Sequence, residues 1–243
     1  MPEGPSIIIL KERMQEFLGK KVLTAGGYAK VDYGRFKNQT IREFKTWGKH
    51  FLICFPNFTV RLHLMLFGSY TINEDKKYNP KFSLYLQNDT LNFYLCQVKI
   101  IEEHLDNLYE WRSDIMSARW SMALAKIKLK EIPGHLICDA LGDQDIFSGS
   151  GNIIKNEVLY RSKVHPESLV GKIPSATINL ILKEVRKYSR DFLKWRKLNV
   201  LSQHWEAYNQ KECLRCALPI IKKLTGKNKR QSYFCSNCQE KYK

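Results

Sequence analysis

The N-terminal residues carry the apolar spacing of one amphipathic helix. Apolar side chains recur there at steps of three and four residues, at Ile7, Leu10, Met14, Phe17 and Leu18. This spacing places them on one side of a helix, which Gly19 is expected to end. The pattern therefore predicts a single helix at the start of the chain.

Short β-rich runs replace the helical spacing from Val22 to about Ile101. The clearest runs, separated in pairs by turn residues, are Phe51–Phe55, Thr59–Leu66, Phe82–Leu86 and Leu91–Ile101. Within the second run, apolar residues at Val60, Leu62, Leu64 and Leu66 occupy every other position. That period is typical of a half-buried strand. We predict a β-sandwich or barrel behind the leading helix.

Sequence typical of helices follows a short acidic stretch at residues 102–114. The predicted helices are Trp120–Glu131, Ile137–Gly142, Asn152–Lys163 and Ser175–Lys197. Strands followed by helices indicate an α+β chain. We place domain boundaries at residues 1–112, 113–205 and 206–243.

Four of the seven cysteines form two C-x2-C pairs, which are Cys213 with Cys216 and Cys235 with Cys238. Two such pairs supply four thiolates, the closed tetrahedral shell that structural zinc prefers. A module of this size cannot bury enough core to fold alone, so metal binding would supply its folding energy. We predict one structural Zn²⁺ per chain and expect Cys54, Cys96 and Cys138 to be apolar core residues.

The charge of the chain indicates a polyanionic partner. The formal net charge is +16, and residues 181–243 hold 16 Lys and Arg against five Asp and Glu. A concentrated positive field attracts phosphates and releases their counterions on binding. We expect a nucleic acid partner, although a solvated basic surface would carry the same charge.

Two further segments offer chemistry. Gly149 and Gly151 precede a helix that begins at Asn152, where free backbone N–H groups and the Asn152 amide suit a phosphate; an ordinary helix start is the alternative. If Met1 is removed, Pro2 becomes a secondary amine that can attack a sugar carbon and form an iminium ion. Glu3 could then supply the acid that opens the sugar ring.

Taken in order, these motifs resemble the formamidopyrimidine-DNA glycosylase and endonuclease VIII family. The motifs are Pro2-Glu3-Gly4-Pro5, Gly48-Lys49-His50, Gly149-Ser150-Gly151-Asn152-Ile153 and Phe234-Cys235-Ser236-Asn237-Cys238-Gln239. The resemblance implies an N-terminal β-sandwich with one leading helix, a helix-two-turn-helix domain and a C-terminal β-hairpin zinc finger. It also implies a bifunctional enzyme that removes oxidised bases and cleaves the strand by β,δ-elimination.

The resemblance assigns roles to individual positions. It implies that Pro2 is the nucleophile, that Glu3 is the acid at the sugar, and that Lys49 contacts the lesion-side phosphate and assists the chemistry. It implies phosphate contacts for Asn152 and for Arg230, which lies five residues before Cys235.

A third group of residues is expected to fill the space left by an extruded base. His63-Leu64-Met65-Leu66-Phe67-Gly68 resembles the family's wedge loop. Met65, Leu66 and Phe67 are apolar residues of the kind that hold an unstacked base step. Core packing is the alternative, above all for Leu66, which continues the strand alternation.

Two departures from the family pattern affect the expected activity. Ser6 stands where the family usually has a second glutamate, which keeps open a non-catalytic protein that binds damaged DNA. Only 21 residues separate Asp191 from Cys213, too few for the usual purine lid, which favours an endonuclease VIII-like branch acting on oxidised pyrimidines and hydantoins.

A zinc-ribbon protein of the ribosome or of transcription would explain the tail but not the N-terminus. The expected partner is double-stranded DNA containing oxidised bases or abasic sites, with the protein acting as a monomer. An acidic start and short apolar runs predict a cytoplasmic, nucleoid-associated protein without a membrane partner.

Overall fold

The computed structural model describes residues 2–243. Met1, whose removal the predicted amine chemistry requires, lies outside the described residues. The chain divides into two compact units, one ending at Tyr109 and the other spanning Glu110–Lys243. None of the helices within residues 2–243 combines the length and the apolar composition that a membrane crossing requires.

The first unit consists of helix α1, six strands and a short closing helix. In chain order these are α1 (Gly4–Met14), β1 (Thr24–Gly27), β2 (Glu43–Trp47), β3 (His50–Cys54), β4 (Thr59–Ile72), β5 (Phe82–Tyr85), β6 (Thr90–Ile101) and α2 (Leu105–Leu108). The strands that the sequence assigned to a sandwich or barrel are joined edge to edge in one antiparallel sheet, in the order β1-β5-β6-β4-β3-β2.

Helix α1 packs on β2 and β3 through the predicted apolar stripe. Ile7, Leu10 and Met14 are buried and belong to the same apolar cluster as Phe51 and Phe93. The stripe ends earlier than the sequence indicated, because the helix tightens into a 3-10 turn at Gln15–Phe17 and the extended backbone of Leu18 then leaves that side chain 47% exposed.

The second unit holds four helices and a β-hairpin. These are α3 (Met122–Lys130), α4 (Ile137–Ala140), α5 (Asn152–Arg161), α6 (Ser175–Lys197), β7 (Ile221–Thr225) and β8 (Arg230–Phe234). All four predicted helices are present, and the bounds of α6 match the prediction. The mixed α+β class with a C-terminal hairpin is confirmed.

Helix α6 presents a regular apolar stripe to the core of the second unit. Ile178, Ile181, Leu182 and Val185 are buried, and they share one apolar cluster with residues of α3, α4 and α5. Helix α5 has no such stripe, because every residue from Ile153 to Tyr160 is buried. It is the central helix of its unit.

His50 of β3 packs among three other ring side chains of the first unit. The His50 ring lies 5.6 Å from Trp47, 5.3 Å from His63 and 5.8 Å from Tyr109, measured between ring centroids. Burial, with the charges of Arg61 and His63, lowers the pKa of His50 to about 3. Burial also lowers the pKa of His63. Both imidazoles are therefore neutral near pH 7.

The half-buried His50 makes the stability of the first unit sensitive to acid. Its pKa is about 3 in the folded chain, against a usual value near 6.5 after unfolding, so the unfolded chain binds the extra proton between these values. We expect the free energy of unfolding to fall as the pH drops from about 7 to about 5. His50→Gln should reduce this loss by on the order of 1 kcal/mol in urea unfolding.

His104 provides the matched control, because its side chain is 75% exposed in the same unit. His104→Gln should leave the acid-induced loss of stability at its wild-type size. An identical loss in the His50→Gln and wild-type proteins would show that His50 is not the group that resists protonation.

Candidate nucleic-acid interface and metal centre

Pro2 and Glu3 are fixed by the first turn of α1. Pro2 is half-buried and Glu3 is fully buried. The Glu3 carbonyl accepts hydrogen bonds from the backbone N–H groups of Ser6, at 2.8 Å, and Ile7, at 3.3 Å, so this residue caps the helix through its backbone. Pro5 in the first turn favours the same start, since its ring presets the helical φ. The N-terminal nitrogen that the sequence singles out is thus held one residue from a buried carboxyl group.

Lys49 lies in the tight turn between β2 and β3. Gly48 adopts a positive φ of 55°, and Trp47 pairs with His50 across the turn. Lys49 is half-buried, and its backbone accepts a hydrogen bond from the His63 side chain. The structure therefore brings Lys49 and His63 together through the register of β3 and β4.

The three predicted wedge residues leave the sheet at an irregularity in β4. Leu64 pairs with Cys96 of β6, but the next pair is Ser69 with Tyr94, so four residues of β4 face only Leu95. The side chains of Met65, Leu66 and Phe67 are 43%, 53% and 76% exposed. The alternation that would have buried Leu66 ends at Leu64, and the core-packing alternative for these residues is wrong.

Gly68 and Leu95 allow this bulge. A Cβ atom on Gly68 would lie 2.7 Å from the Met65 nitrogen and 2.8 Å from the Leu95 carbonyl oxygen, so no other residue fits without a backbone shift. Leu95 adopts a positive φ of 48°, which is uncommon for a residue other than glycine. The exposed wedge is therefore built into the backbone of both strands.

The four predicted metal ligands converge at one point of the second unit. The ligand atoms of Cys213, Cys216, Cys235 and Cys238 all lie within 4.8 Å of one another. The closest sulfur pairs are 3.4–3.5 Å apart. A tetrahedral ion with bonds of about 2.3 Å places its sulfurs about 3.8 Å apart, so the arrangement fits a tetrahedral metal. This four-cysteine cluster can hold a metal ion.

Helix α5 is tied to the cluster through Tyr160. The Tyr160 hydroxyl lies 3.2 Å from the Cys213 sulfur. The guanidinium of Arg215 stacks 3.8 Å from the Tyr160 ring centroid and donates to the Tyr160 carbonyl at 2.9 Å. Burial alone would raise the pKa of the Cys213 thiol, but the hydrogen bond from Tyr160 helps to lower it to about 5. Burial and hydrogen bonds with the other three cysteines raise the pKa of Cys238 to about 12, so Cys213 loses its proton before Cys238 does.

The loop before α5 and the first residue of this helix contain buried side-chain oxygens that accept no hydrogen bond from the part of the chain that the structure describes. The side-chain oxygens of Ser148, Ser150 and Asn152 are buried without a hydrogen bond among the described residues. Asn152 is the first residue of the helix, after Gly149 with a φ of 96°. Buried polar atoms normally find a partner, and the amide ends of Asn152 can exchange donor for acceptor. This loop is therefore suited to an external polar ligand such as a phosphate.

Arg230 begins β8 and is exposed, and α5 fixes the strand that carries it. The buried Lys155 ammonium donates to the Gln231 carbonyl at 3.1 Å and to the Ser232 hydroxyl at 3.0 Å. The Asn156 amide donates to the same Gln231 carbonyl at 3.3 Å and accepts from the Tyr233 N–H at 2.8 Å. These contacts occupy the free edge of β8 as another strand would. We call Lys155 and Asn156 the edge clamp.

Asp139 of α4 holds the tip of the same hairpin. Its carboxylate accepts from the Lys227 backbone N–H at 3.1 and 3.0 Å. Gly226 has a φ of 73° and packs so closely that a Cβ atom would collide with this carboxylate. The hairpin is thereby anchored at its tip as well as along its edge.

Sequence reasoning singled out neither the edge clamp nor Asp139, and it named His63 only as the first residue of the wedge-loop motif. Asn156 and Asp139 carry no local motif, and their roles depend on contacts 77 and 88 residues away in sequence. His63 had a weak signal, since it occupies a polar position of an alternating strand. The predicted residues themselves divide between the units, with Pro2, Glu3, Lys49 and the wedge in the first and the rest in the second.

Comparison with known proteins matches this arrangement. Residues 114–197 match the model of the formamidopyrimidine-DNA glycosylase H2TH domain. The chain is 31% identical to Endonuclease 8-like 3 of Bos taurus over 241 residues, which cover 95% of this chain and 37% of that protein. It is 26% identical to formamidopyrimidine-DNA glycosylase of Halalkalibacterium halodurans, covering 99% of this chain and 100% of that protein.

Two solved structures share the fold. A viral DNA glycosylase superposes with a TM-score of 0.83 at 19% identity, over 98% of this chain and 100% of that one. The Lactococcus lactis formamidopyrimidine-DNA glycosylase bound non-covalently to DNA with an abasic site gives 0.87 at 18% identity, with the same coverage.

The chain spans little more than a third of the length of the Endonuclease 8-like 3 proteins that it matches, but the whole of the bacterial glycosylase. The motifs at both ends of the chain agree with three findings. These are the helix-two-turn-helix match, the curated relatives, and the fold of a leading helix, a sheet and a hairpin. The chain belongs to the formamidopyrimidine-DNA glycosylase and endonuclease VIII family.

Proposed function

We propose that the protein is a base-excision-repair DNA glycosylase with abasic-site lyase activity. Its substrate is double-stranded DNA containing an oxidised base or an abasic site, which it binds as a monomer. The observation that carries the proposal is the fixed position of Pro2 and of the buried Glu3 at the start of α1. We propose that the protein acts on chromosomal DNA, which in a bacterium lies in the nucleoid.

The proposed reaction uses the amine of Pro2 after removal of Met1. The nitrogen bonds to the anomeric carbon of the damaged nucleotide as the bond to the base breaks, and the proton lost from this nitrogen neutralises the departing base. Glu3 then protonates the sugar oxygen, the bond between this oxygen and the anomeric carbon breaks, and the nitrogen lone pair forms the iminium ion. The resulting iminium ion withdraws electrons and acidifies the neighbouring carbon. When this carbon loses a proton, the 3′-phosphate is expelled, and a second elimination expels the 5′-phosphate.

Each unit contributes a distinct part of the proposed recognition. Met65, Leu66 and Phe67 fill the space from which the damaged base has been extruded, because exposed apolar side chains replace its stacking. Lys49 in the first unit binds and neutralises a phosphate near the lesion. Asn152 and Arg230 bind phosphates from the second unit.

The absence of a purine lid supports the endonuclease VIII-like branch. Helix α6 continues past Asp191 to Lys197, and the Glu157 carboxylate binds the backbone of Glu206, Ala207 and Tyr208. Little chain between α6 and Cys213 is left to cover an extruded purine. We therefore propose oxidised pyrimidines and hydantoins as the preferred lesions.

A non-catalytic protein that binds damaged DNA is the second candidate, and Ser6 is the observation that favours it. Ser6 lies half-buried in the first turn of α1, and its N–H donates to the Glu3 carbonyl. A hydroxyl at this position cannot supply the carboxylate that the family usually has there.

Zinc is the proposed occupant of the four-cysteine cluster, with a structural role only. Four thiolates leave no position for water or substrate, and the hairpin around them depends on the metal for its folding. Cys235→Ser should remove the ion and abolish DNA binding while the first unit keeps its fold. Zinc analysis of the purified protein and circular dichroism check this outcome.

Cys54→Ser is the matched control, because Cys54 is half-buried in the first unit and far from the cluster in sequence. It should keep one zinc ion per chain. Full zinc content in Cys235→Ser would refute the assignment of that ligand, and a wild-type protein without zinc would refute the site.

The salt dependence of DNA affinity distinguishes the phosphate contact of Arg230 from that of Asn152. Arg230→Ala should weaken binding of lesion-containing duplex and lower the log-log salt slope by about one, since one fewer counterion is released. Asn152→Ala should weaken binding with little change of slope, because a neutral amide releases none. Fluorescence anisotropy at several salt concentrations measures both effects.

Because the edge clamp holds the strand that carries Arg230, we expect the effects of Asn156 and Arg230 variants on DNA affinity to be coupled. The same anisotropy titrations measure this coupling. Asn156→Ala frees the edge of β8 and should weaken binding in part through Arg230, so its effect and that of Arg230→Ala should not add in the double variant. Lys183→Ala on the exposed side of α6 should change neither affinity nor slope. Additive effects of Asn156→Ala and Arg230→Ala would show that the edge clamp does not act on DNA binding through Arg230.

The covalent intermediate is the decisive test of the proposed chemistry. Borohydride should reduce the iminium ion to a stable amine and cross-link the processed protein to a duplex with one oxidised pyrimidine. Peptide mapping should place the adduct on Pro2. Glu3→Gln should slow base release more than cleavage of a preformed abasic site, because the acid is needed chiefly while the base leaves and the sugar ring opens.

Lys49 is the rival amine, and its variant serves as the comparison. Lys49→Ala should slow the reaction but keep the adduct on Pro2. An adduct that maps to Lys49 would assign the chemistry to that residue. No adduct with any duplex of a panel of defined lesions, together with tight binding of those duplexes, would favour the non-catalytic candidate.

A further inference from the structure

A small apolar groove lies in the second unit on the side of α3 and the start of α6. Its volume is about 210 Å³. The floor is formed by the core residues Leu129, Val170, Ile173 and Ile178, which all belong to the buried apolar cluster of this unit. Pro133 is exposed and adds to the wall. The groove thus gives direct access to the apolar interior of the helical unit.

The rim of the groove is positively charged. Lys126 and Lys130 are four residues apart on α3, so both lie on the groove side of the helix, and no acidic residue is among the lining residues. The Lys126 ammonium is held by the Asn179 side chain at 3.0 Å, and Lys130 makes no ion pair among residues 2–243. Helix α6 begins at the same place, at Ser175, without a side-chain cap or an acidic residue in its first turn. Its dipole adds to the positive potential.

The composition of the groove suits a polypeptide better than DNA. A phosphate backbone offers no apolar group to fill a floor of leucine, valine and isoleucine side chains. The residues proposed to bind phosphates, Asn152 and Arg230, are not among those that line it. The volume is also below the range of about 300–1,000 Å³ typical of small-molecule and cofactor sites, whereas it accommodates one large side chain. A single apolar anchor in a pocket is how many protein segments dock.

We propose that this groove is a docking site for an acidic peptide segment of a partner protein. One leucine or phenylalanine of the segment fills the apolar floor, and aspartate or glutamate residues on either side pair with Lys126 and Lys130. The occupant follows from charge complementarity, because the rim carries two ammonium groups and no carboxylate. Such a contact would bring a partner to the repair protein through a surface separate from its phosphate-binding residues.

The test is the binding of a short fluorescein-labelled peptide with one phenylalanine among aspartates and glutamates, measured by anisotropy with the full chain in the absence of DNA. The wild-type protein should bind it. Replacing the phenylalanine by serine should weaken binding about tenfold or more, as expected for losing one buried apolar side chain. Lys130→Glu should weaken it by about tenfold, and Ser175→Trp, which fills the groove from an exposed position, should abolish it.

Lys172→Glu is the matched control, since Lys172 is exposed next to Gly171 but does not line the groove. It makes the same change of net charge and should alter affinity by no more than about twofold. Equal losses in Lys130→Glu and Lys172→Glu would reduce the binding to general charge attraction and overturn the proposal. Failure of the wild-type protein to bind the peptide, or its displacement by an abasic-site duplex, would overturn it as well.

This experiment does not depend on the proposed enzyme function. Peptide binding is measured without substrate, and covalent trapping on DNA is measured without peptide. A protein that traps DNA but does not bind the peptide would keep the proposed function and lose the docking site. The reverse result would keep the docking site alone.

Discussion

The structure of the second unit depends on the burial of one helix that carries polar side chains. Every residue of α5 from Ile153 to Tyr160 is buried, including Lys155, Asn156 and Glu157. A buried polar group that lacks a hydrogen bond destabilises the fold, and a buried charge does so more strongly. Each of these side chains therefore requires a partner of its own. The Glu157 carboxylate accepts three backbone N–H groups, from Glu206, Ala207 and Tyr208, at 2.7–3.0 Å.

That constraint links the helix to the hairpin and to the four-cysteine cluster. The two residues before Glu157 hold the edge of β8, and Tyr160 at the end of the helix contacts Cys213 of the cluster. Asn152 at its beginning carries an amide oxygen that has no hydrogen-bond partner within residues 2–243. A helix of 1.5 Å rise per residue thus sets the spacing between the proposed phosphate contact and the four-cysteine cluster. Small shifts of α5 would move all of these groups together.

The sequence predicted the elements of this unit but not their connections. The sequence predicted helix α6 with its observed bounds, Ser175 to Lys197, and the structure shows a regular apolar stripe along it. Helix α5 was located by Gly151 and Asn152 at its start, since a helix that is buried on all sides has no polar face to reveal it. The cysteines were predictable because metal ligands have a fixed spacing. Glu157 and Asn156 were not, because their partners are brought near only by the tertiary fold.

In the first unit, too, the sequence predicted the strands but not the contacts between them. This difference explains why the exposure of the predicted wedge residues was not foreseen for Leu66. Alternation predicted β4 as far as Leu64 but also assigned Leu66 to the core, because the sequence does not show that Leu95 would stand alone opposite four residues. Exposing a large apolar side chain forgoes about 1.5–3 kcal/mol of burial, and Met65, Leu66 and Phe67 are all exposed. The tight Gly68 and the left-handed Leu95 make the bulge part of the backbone design. An arrangement that exposes three adjacent apolar side chains calls for a ligand that covers them, and the unstacked base step of the proposed function would be such a ligand.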